Sequence, residues 1–372
     1  MKKIIIFRVV LLTIFSSCAQ EKENDILLDT DPKNYTTELV VPDLQIPWGM
    51  VWLPDGSMLI TEKSGELIHY KEGKKNTISN VPEVSNRGQG GLLDIELHPK
   101  YEENGWIYIT YSSTEGSEKG SHTALIRAQL KNNQLTSIEK LYKGTPNTTR
   151  GHHFGSRIEF DTNGFLYFSI GERGNRDENP QDITRDGGKI YRLHDDGSIP
   201  EDNPFINQQG AKKAIFSYGH RNPQGMALHP TTGTIWVHEH GPRGGDEINI
   251  IKKKANYGWP VITYGINYSG TSITDMTAKE GMEQPMYYWV PSIAPSGMAF
   301  VTSDKYPDWK NDLLVGSLKF QYLELVELDG NKVIGRKKLV EDIGRVRNVR
   351  QGPDGYIYVA VENKGIVKIT PN

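Results

Sequence analysis

Apolar positions along this chain alternate with polar ones over short stretches. They seldom recur at the three- and four-residue spacing of a helix, because glycine or proline interrupts nearly every candidate window. The alternation predicts strands. One pattern returns six times: a small or turn residue, a short alternating strand, a turn rich in Pro, Asp and Gly, and a second strand rich in aromatic and β-branched residues. The first three copies start at Trp48, Gly91 and Gly155, with second strands at 58–61, 106–111 and 165–170. The others start at Gly225, Gly297 and Asn348, with second strands at 235–238, 313–316 and 356–361. A sheet built from one copy cannot bury both of its apolar faces alone. Radial stacking of successive sheets does so and leaves only short edges, which predicts an all-β, six-bladed β-propeller. The copies lie roughly 40 to 70 residues apart, so several blades carry long loops. Loops of that kind often hold a site.

The N-terminal segment follows different rules. Lys2, Lys3 and Arg8 precede a short apolar run from Val9 to Phe15, then Ser16 and Ser17 stand before Cys18, the only cysteine in the chain. The run is too short to span a bilayer and reads as an export signal over residues 1–17. Because the cysteine follows a small-residue pair, the segment resembles a bacterial lipobox. That implies lipidation of Cys18, a polar tether over 18–36 and a propeller over 37–372, anchored to the membrane by lipid only. The default expectation is the bacterial outer membrane, facing the periplasm. Composition narrows the partners: 43 basic and 46 acidic residues are nearly balanced, which argues against disorder and against nucleic acid as a partner.

What the repeat does not require clusters near the starts of the inner strands, which in a propeller face the central axis. Arg345 and Arg347 alternate on one strand and so share a face, while Arg221 and Lys319 arrive from other blades. Four cations gathered there need either acidic side chains or a multiply anionic ligand. His153 follows a glycine turn, and Glu172, after the paired strand, is placed to orient its imidazole as a proton acceptor. A structural hydrogen-bonding role for the His152-His153 pair stays open, as does a zinc cluster of His152, His153, His238 and His240. Gly241 and Pro242 offer turn carbonyls, with the Asp246 and Glu247 carboxylates and the Tyr257 carbonyl near in sequence, a hard-oxygen set that suits calcium better.

The succession Gly90-Gly91-Leu92-Leu93-Asp94-Ile95, His153 with Arg157, Gly171-Glu172-Arg173-Gly174, Tyr218 through Gly225, Glu239-His240-Gly241-Pro242, Asp246 through Asn249 and Asn256 through Pro260 resembles the glucose/sorbosone dehydrogenase family, from about Trp48 to Thr370. The likeness is strongest to its soluble aldose sugar dehydrogenases. It implies a propeller holding pyrroloquinoline quinone (PQQ), a planar tricarboxylate, over the axis. By resemblance, His153 is the general base, and Arg221 and Asn222 contact cofactor and substrate. Gln89, Lys319, Arg345 and Arg347 surround the quinone and its carboxylates, and Tyr268 makes a further cofactor contact. The Gly241 and Pro242 carbonyls match ligands of the calcium beside the quinone, and Glu247 and Tyr257 match a calcium site of the aldose branch.

The implied reaction oxidises an aldose at C1 to a lactone and passes electrons to an external acceptor, in a monomer or homodimer. The sequence departs from the glucose-dehydrogenase pattern at His152, where an aspartate is expected, and at Glu172, a longer acid than expected, so glucose is not assigned as substrate. The alternative is a non-catalytic cell-surface propeller that binds a glycan or a protein. A propeller lactonase is disfavoured, since it needs carboxylates at the axis where this sequence offers cations.

Overall fold

Strands here carry apolar side chains on both faces, and the architecture follows from where those two faces go. In Ile357–Val361, the residues Ile357, Val359 and Val361 pack toward the fifth blade, while Tyr358 and Ala360 pack toward the first. Among the described residues six hydrophobic clusters fill the interfaces between consecutive blades, one in each, and a small seventh gathers Trp48, Leu93 and Phe154 near the axis. The computed structural model describes Ile26, residues 28–30 and residues 35–372. Cys18, the export segment and most of the 18–36 tether lie outside the described residues.

The six innermost strands are Pro47–Trp52, Leu92–Leu97, Ile158–Phe160, Pro223–Leu228, Pro295–Phe300 and Val346–Gln351. Each pairs antiparallel with the second strand expected from the repeat, so all six copies fall on separate blades. The ring closes through the N-terminal strand Tyr35–Pro42, which pairs antiparallel with Gly365–Pro371 at the other end of the chain. Within the stretch read as a tether, Leu28–Thr30 adds a parallel fifth strand to the outer edge of blade five, against Lys332–Lys338. Helix is confined, among the described residues, to one α-turn at Tyr101–Asn104 and one 3-10 turn at Pro307–Trp309.

At the axis the blades are joined by polar contacts, because the edges of the inner strands meet there instead of their apolar faces. Arg157 of blade three is 3 % exposed and pairs with Asp94 of blade two, fully buried, at 3.1 Å. Its other donors reach the carbonyls of Trp48 in blade one (3.3 Å), Gln224 in blade four (2.7 Å) and Arg347 in blade six (2.7 Å). The Ser296 hydroxyl of blade five donates to the same Arg347 carbonyl. Asp94→Ala leaves this guanidinium buried without its counter-charge, a change worth about 3–5 kcal/mol. Urea denaturation should register that loss, and a difference below about 1 kcal/mol, the range of a surface pair, would contradict the role given to the pair.

Candidate active site

The loops above the axis enclose a cavity of about 400 Å³. Its walls include Trp48, Lys63, Gln89, Gln224, Arg345 and Arg347, drawn from four of the six blades, together with Phe154 and Glu362. Arg345 donates to Glu362 Oε2 (2.6 Å) and to the Leu318 carbonyl (3.0 Å), and Arg347 donates to Glu362 Oε1 through Nε (3.0 Å) and Nη2. Lys63 donates to Asn86 Oδ1 at 2.6 Å. Burial, then repulsion from Arg347, lowers the Lys63 ammonium below its ordinary value. Three cations thus face this cavity with one carboxylate between them.

Of the four cations expected to converge at the axis, two line this cavity. Arg345 and Arg347 line the axial cavity, but Lys319 stands exposed at the rim with its ammonium 4.7 Å from the Phe320 ring centre. Arg221 turns aside because carbonyls hold it: Nη1 donates to His240 (3.0 Å) and Gly241 (2.5 Å). Its Nε is buried without a hydrogen-bond partner among the described residues, and Tyr268, 74 % exposed, lies beside its guanidinium. Sequence reasoning missed Lys63 and Glu362. A signal for Glu362 was available, since Glu62, Glu172, Glu239 and Glu362 all stand at or just past the end of a blade's second strand.

His153 sits in the left-handed region at φ 58°, unusual for a residue with a side chain. Its backbone N–H donates to Gln89 Oε1 (2.7 Å), and its Nδ1 makes a short hydrogen bond with Glu172 Oε1. Three segments cross here at Gly171, where a Cβ would lie 2.5 Å from the His153 carbonyl and 2.7 Å from Asn222 Oδ1, so only glycine admits the crossing. The Glu172 N–H donates to the Arg221 carbonyl (2.8 Å), and Asn179 Nδ2 donates to the Glu172 carbonyl (3.0 Å). Buried Lys189 holds the Asn179 carbonyl in turn (2.5 Å). Asn222 accepts from the Gly155 N–H (3.1 Å) and keeps a buried Nδ2 without a partner among the described residues.

Burial, and after it the opposing pull of Glu172 and the repulsion of Arg221 and His152, leaves the His153 imidazole lowered to about 4. Burial works to raise the Glu172 carboxyl, but the hydrogen bond from His153 and the neighbouring cations hold it below its ordinary value. Both directions describe one arrangement: a neutral imidazole donating Nδ1–H to a carboxylate, with the Nε2 lone pair free to accept a proton.

Beside Arg221 lies a second space, of about 10 Å³, bordered by Glu239, Gly241, Glu247 and Tyr257. Pro242 is not part of its lining. Asn249 Nδ2 donates to Glu239 (3.3 Å) and Glu247 (3.2 Å), while its buried Oδ1 has no hydrogen-bond partner among the described residues. Burial, then repulsion from Glu239, pushes the Glu247 carboxyl up to about 8. The Tyr257 hydroxyl donates to the Ile250 carbonyl (2.7 Å), which leaves that residue's carbonyl as its candidate ligand. Two carboxyl groups and backbone carbonyls around an ion-sized space fit a hard cation such as calcium. No zinc set forms among the described residues: His238 and His240 are turned to the carbonyls of Gly297 and Pro295.

The His153 environment has a thermodynamic consequence. An imidazole with the ordinary value of 6.5 when unfolded and about 4 when folded binds its extra proton in the unfolded chain between those limits. Its contribution to stability is therefore complete at and above about pH 6.5 and is lost as the pH falls toward about 4. His153→Asn should flatten that part of the acid slope of the unfolding free energy, measured in urea at several pH values. An unchanged slope would contradict a buried neutral imidazole.

Comparison with known proteins agrees with this geometry. The profile described as Glucose / Sorbosone dehydrogenase matches residues 44–368. The chain is 42 % identical over 350 residues to the aldose sugar dehydrogenase YliI of Escherichia coli (strain K12), spanning 91 % of this chain and 94 % of that protein. It is 28 % identical to quinoprotein glucose dehydrogenase B of Acinetobacter calcoaceticus, over 90 % of this chain and 87 % of that one. The crystal structure of the soluble aldose sugar dehydrogenase from Escherichia coli in the apo-form superposes with a TM-score of 0.86 at 41 % identity, covering 91 % of this chain and all of the other. The PQQ-bound form of the Streptomyces coelicolor aldose sugar dehydrogenase gives 0.73 at 26 % identity, covering 92 % and 99 %. With its six blades and matching profile, this chain belongs to the glucose/sorbosone dehydrogenase family.

Proposed function

We propose that the protein is a PQQ-dependent aldose sugar dehydrogenase that oxidises the sugar at C1 to a lactone, with His153 as general base and electrons leaving to an external acceptor. One observation carries this reading: an axial cavity with an excess of positive charge lies beside a neutral imidazole oriented by a buried carboxylate. The cavity falls within the size range of cofactor pockets, and its charge calls for an acidic guest. Trp48 and Phe154 supply flat apolar walls, while Lys63, Arg345, Arg347 and Gln89 supply the polar contacts for carboxylates. The unpartnered Asn222 Nδ2 and Arg221 Nε are donors in need of acceptors. When bound, PQQ would supply the acceptor for the hydrogen and electron pair leaving C1, and calcium would supply positive charge beside it.

The chain's own residues do the rest. His153 accepts the proton of the anomeric hydroxyl at Nε2, and the C1–O bond becomes a carbonyl as the hydride departs. Glu172 fixes the Nδ1–H tautomer and stabilises the imidazolium that results. Arg221 presents fixed positive charge to negative charge developing next to it. Gly241, Glu247 and Tyr257, joined by Glu239, would hold calcium, and Tyr268 at the rim would close one side of the sugar cleft. In this reading Cys18 carries a lipid that keeps the enzyme in the cell envelope.

A glycan- or protein-binding propeller needs neither the orphaned donors nor the neutral base. The test adds PQQ and calcium to purified apoprotein and follows dye reduction with a panel of aldoses. Reduction should require both cofactor and sugar, and His153→Ala should lower kcat by about 10² to 10⁴. Absence of sugar-dependent reduction in the parent, or a His153→Ala variant equal to it, would overturn the enzymatic reading.

A further inference from the structure

Arg173 follows the carboxylate that orients His153, and nothing in the reaction described above uses it. Its side chain is 1 % exposed, with its guanidinium carbon 3.4 Å from the centre of the Phe154 ring. Every hydrogen bond it makes goes to a backbone carbonyl: Nη1 to His152 by a short contact, and Nη2 to Arg150 (2.9 Å) and Ser121 (3.4 Å). A buried guanidinium held by carbonyls instead of a carboxylate, with its Nε lacking a hydrogen-bond partner among the described residues, is costly. A methionine of similar volume would fill the space without desolvating a charge. What the arginine adds is a set of donors, two of whose three contacts, to Arg150 and His152, fall on one loop.

Those donors meet the loop at the point that matters for the base. The peptide joining His152 to His153 is clamped at both ends, since its carbonyl accepts from Arg173 and its N–H donates to Gln89 Oε1. The residue after it holds φ at 58°, a conformation that persists in a residue with a side chain only where the surroundings impose it. Fixing that peptide fixes the direction in which the His153 ring leaves the backbone, and hence its meeting with Glu172. Arg173 and Glu172 are neighbours in sequence, so one short segment supplies both the carboxylate that holds the ring and the cation that holds the ring's backbone.

We propose that Arg173 is a positioning residue that clamps the His152–His153 peptide and so keeps the His153 imidazole on Glu172. This deepens the dehydrogenase reading and rests on it for catalytic meaning, but its test is independent of activity. Imidazole N–H protons held by carboxylates give downfield proton resonances protected from exchange. Among the described residues two such pairs are buried, His153 with Glu172 and His220 with Glu239 (2.8 Å), while a third, His98 with the exposed Asp195 (3.4 Å), is open to exchange, so the His220 pair is an internal control.

Glu172→Gln assigns the first signal. In Arg173→Met the His153 signal should vanish while the His220 signal stays. The loaded enzyme should then lose about 100-fold in kcat, the scale of a misplaced catalytic group, with PQQ affinity unchanged within about threefold. Arg173→Lys retains charge and one donor and should recover part of both the signal and the rate. A His153 signal that is absent from the parent, or that persists unmoved in Arg173→Met, overturns the clamp. Should the methionine variant fail to fold, the lysine variant decides: a shifted His153 signal with an unmoved His220 signal supports the clamp, and an unmoved His153 signal overturns it. A parent that shows the predicted spectra but oxidises no sugar overturns the functional reading alone.

Discussion

A single guanidinium, that of Arg157, ties four other blades to its own at the centre of this molecule, and the cavity above depends on it. Propeller blades adhere through apolar faces, which leave each sheet some freedom to slide against its neighbour. Directed hydrogen bonds at the axis remove that freedom. Arg157 reaches Asp94, Trp48, Gln224 and Arg347 with its donors, stacks at 4.0 Å over the Trp48 ring, and through the Arg347 carbonyl is joined to Ser296 of the remaining blade. Trp48, Gln224 and Arg347 are also walls of the axial cavity. The contact that sets the ring therefore also sets the spacing of the groups that would grip a flat polyanion. Burial lowers the Arg157 guanidinium to about 10, which still leaves it charged at neutral pH.

Charge is divided between two neighbouring spaces in opposite senses. The axial cavity has cations in excess, and the ion-sized space has two carboxyl groups, Glu239 and Glu247, against the single Arg221 guanidinium at its border. His240 and Gly241 connect them: the His240 carbonyl accepts from Arg221, its residue borders both spaces, and the Gly241 carbonyl accepts from the same guanidinium. An anion and a divalent cation bound side by side would satisfy both imbalances, which is the pairing a PQQ–calcium enzyme requires. The base lies beside the axial cavity, next to Gln89 and Phe154 of its wall, and stays neutral through burial.

The strands and their grouping into six blades were legible in the sequence because a repeated unit must bury both faces in the same way each time. The pairs His153 with Glu172 and Arg345 with Arg347 were legible for a similar reason: strand alternation and a turn at a fixed place limit where such side chains go. Lys319 and Arg221 were harder. Their backbone positions follow from the repeat, but Phe320 holds the ammonium at the rim and two carbonyls turn the guanidinium aside, and neither neighbour shows in a local pattern. Glu362 was harder to read because the repeat marks the starts of inner strands as axial, whereas the acids that neutralise the site stand at the ends of second strands. Leu28–Thr30 escaped because three residues of edge strand carry too little alternation to separate them from a polar tether.

The most direct test of this account is a titration of PQQ into the calcium-loaded protein, followed by the cofactor's absorbance. The account predicts saturation at one cofactor per chain, affinity that weakens as salt rises, and loss of binding when Arg345 and Arg347 are both replaced by methionine. Absence of saturable binding in the parent, or equal binding by the double variant, would contradict it.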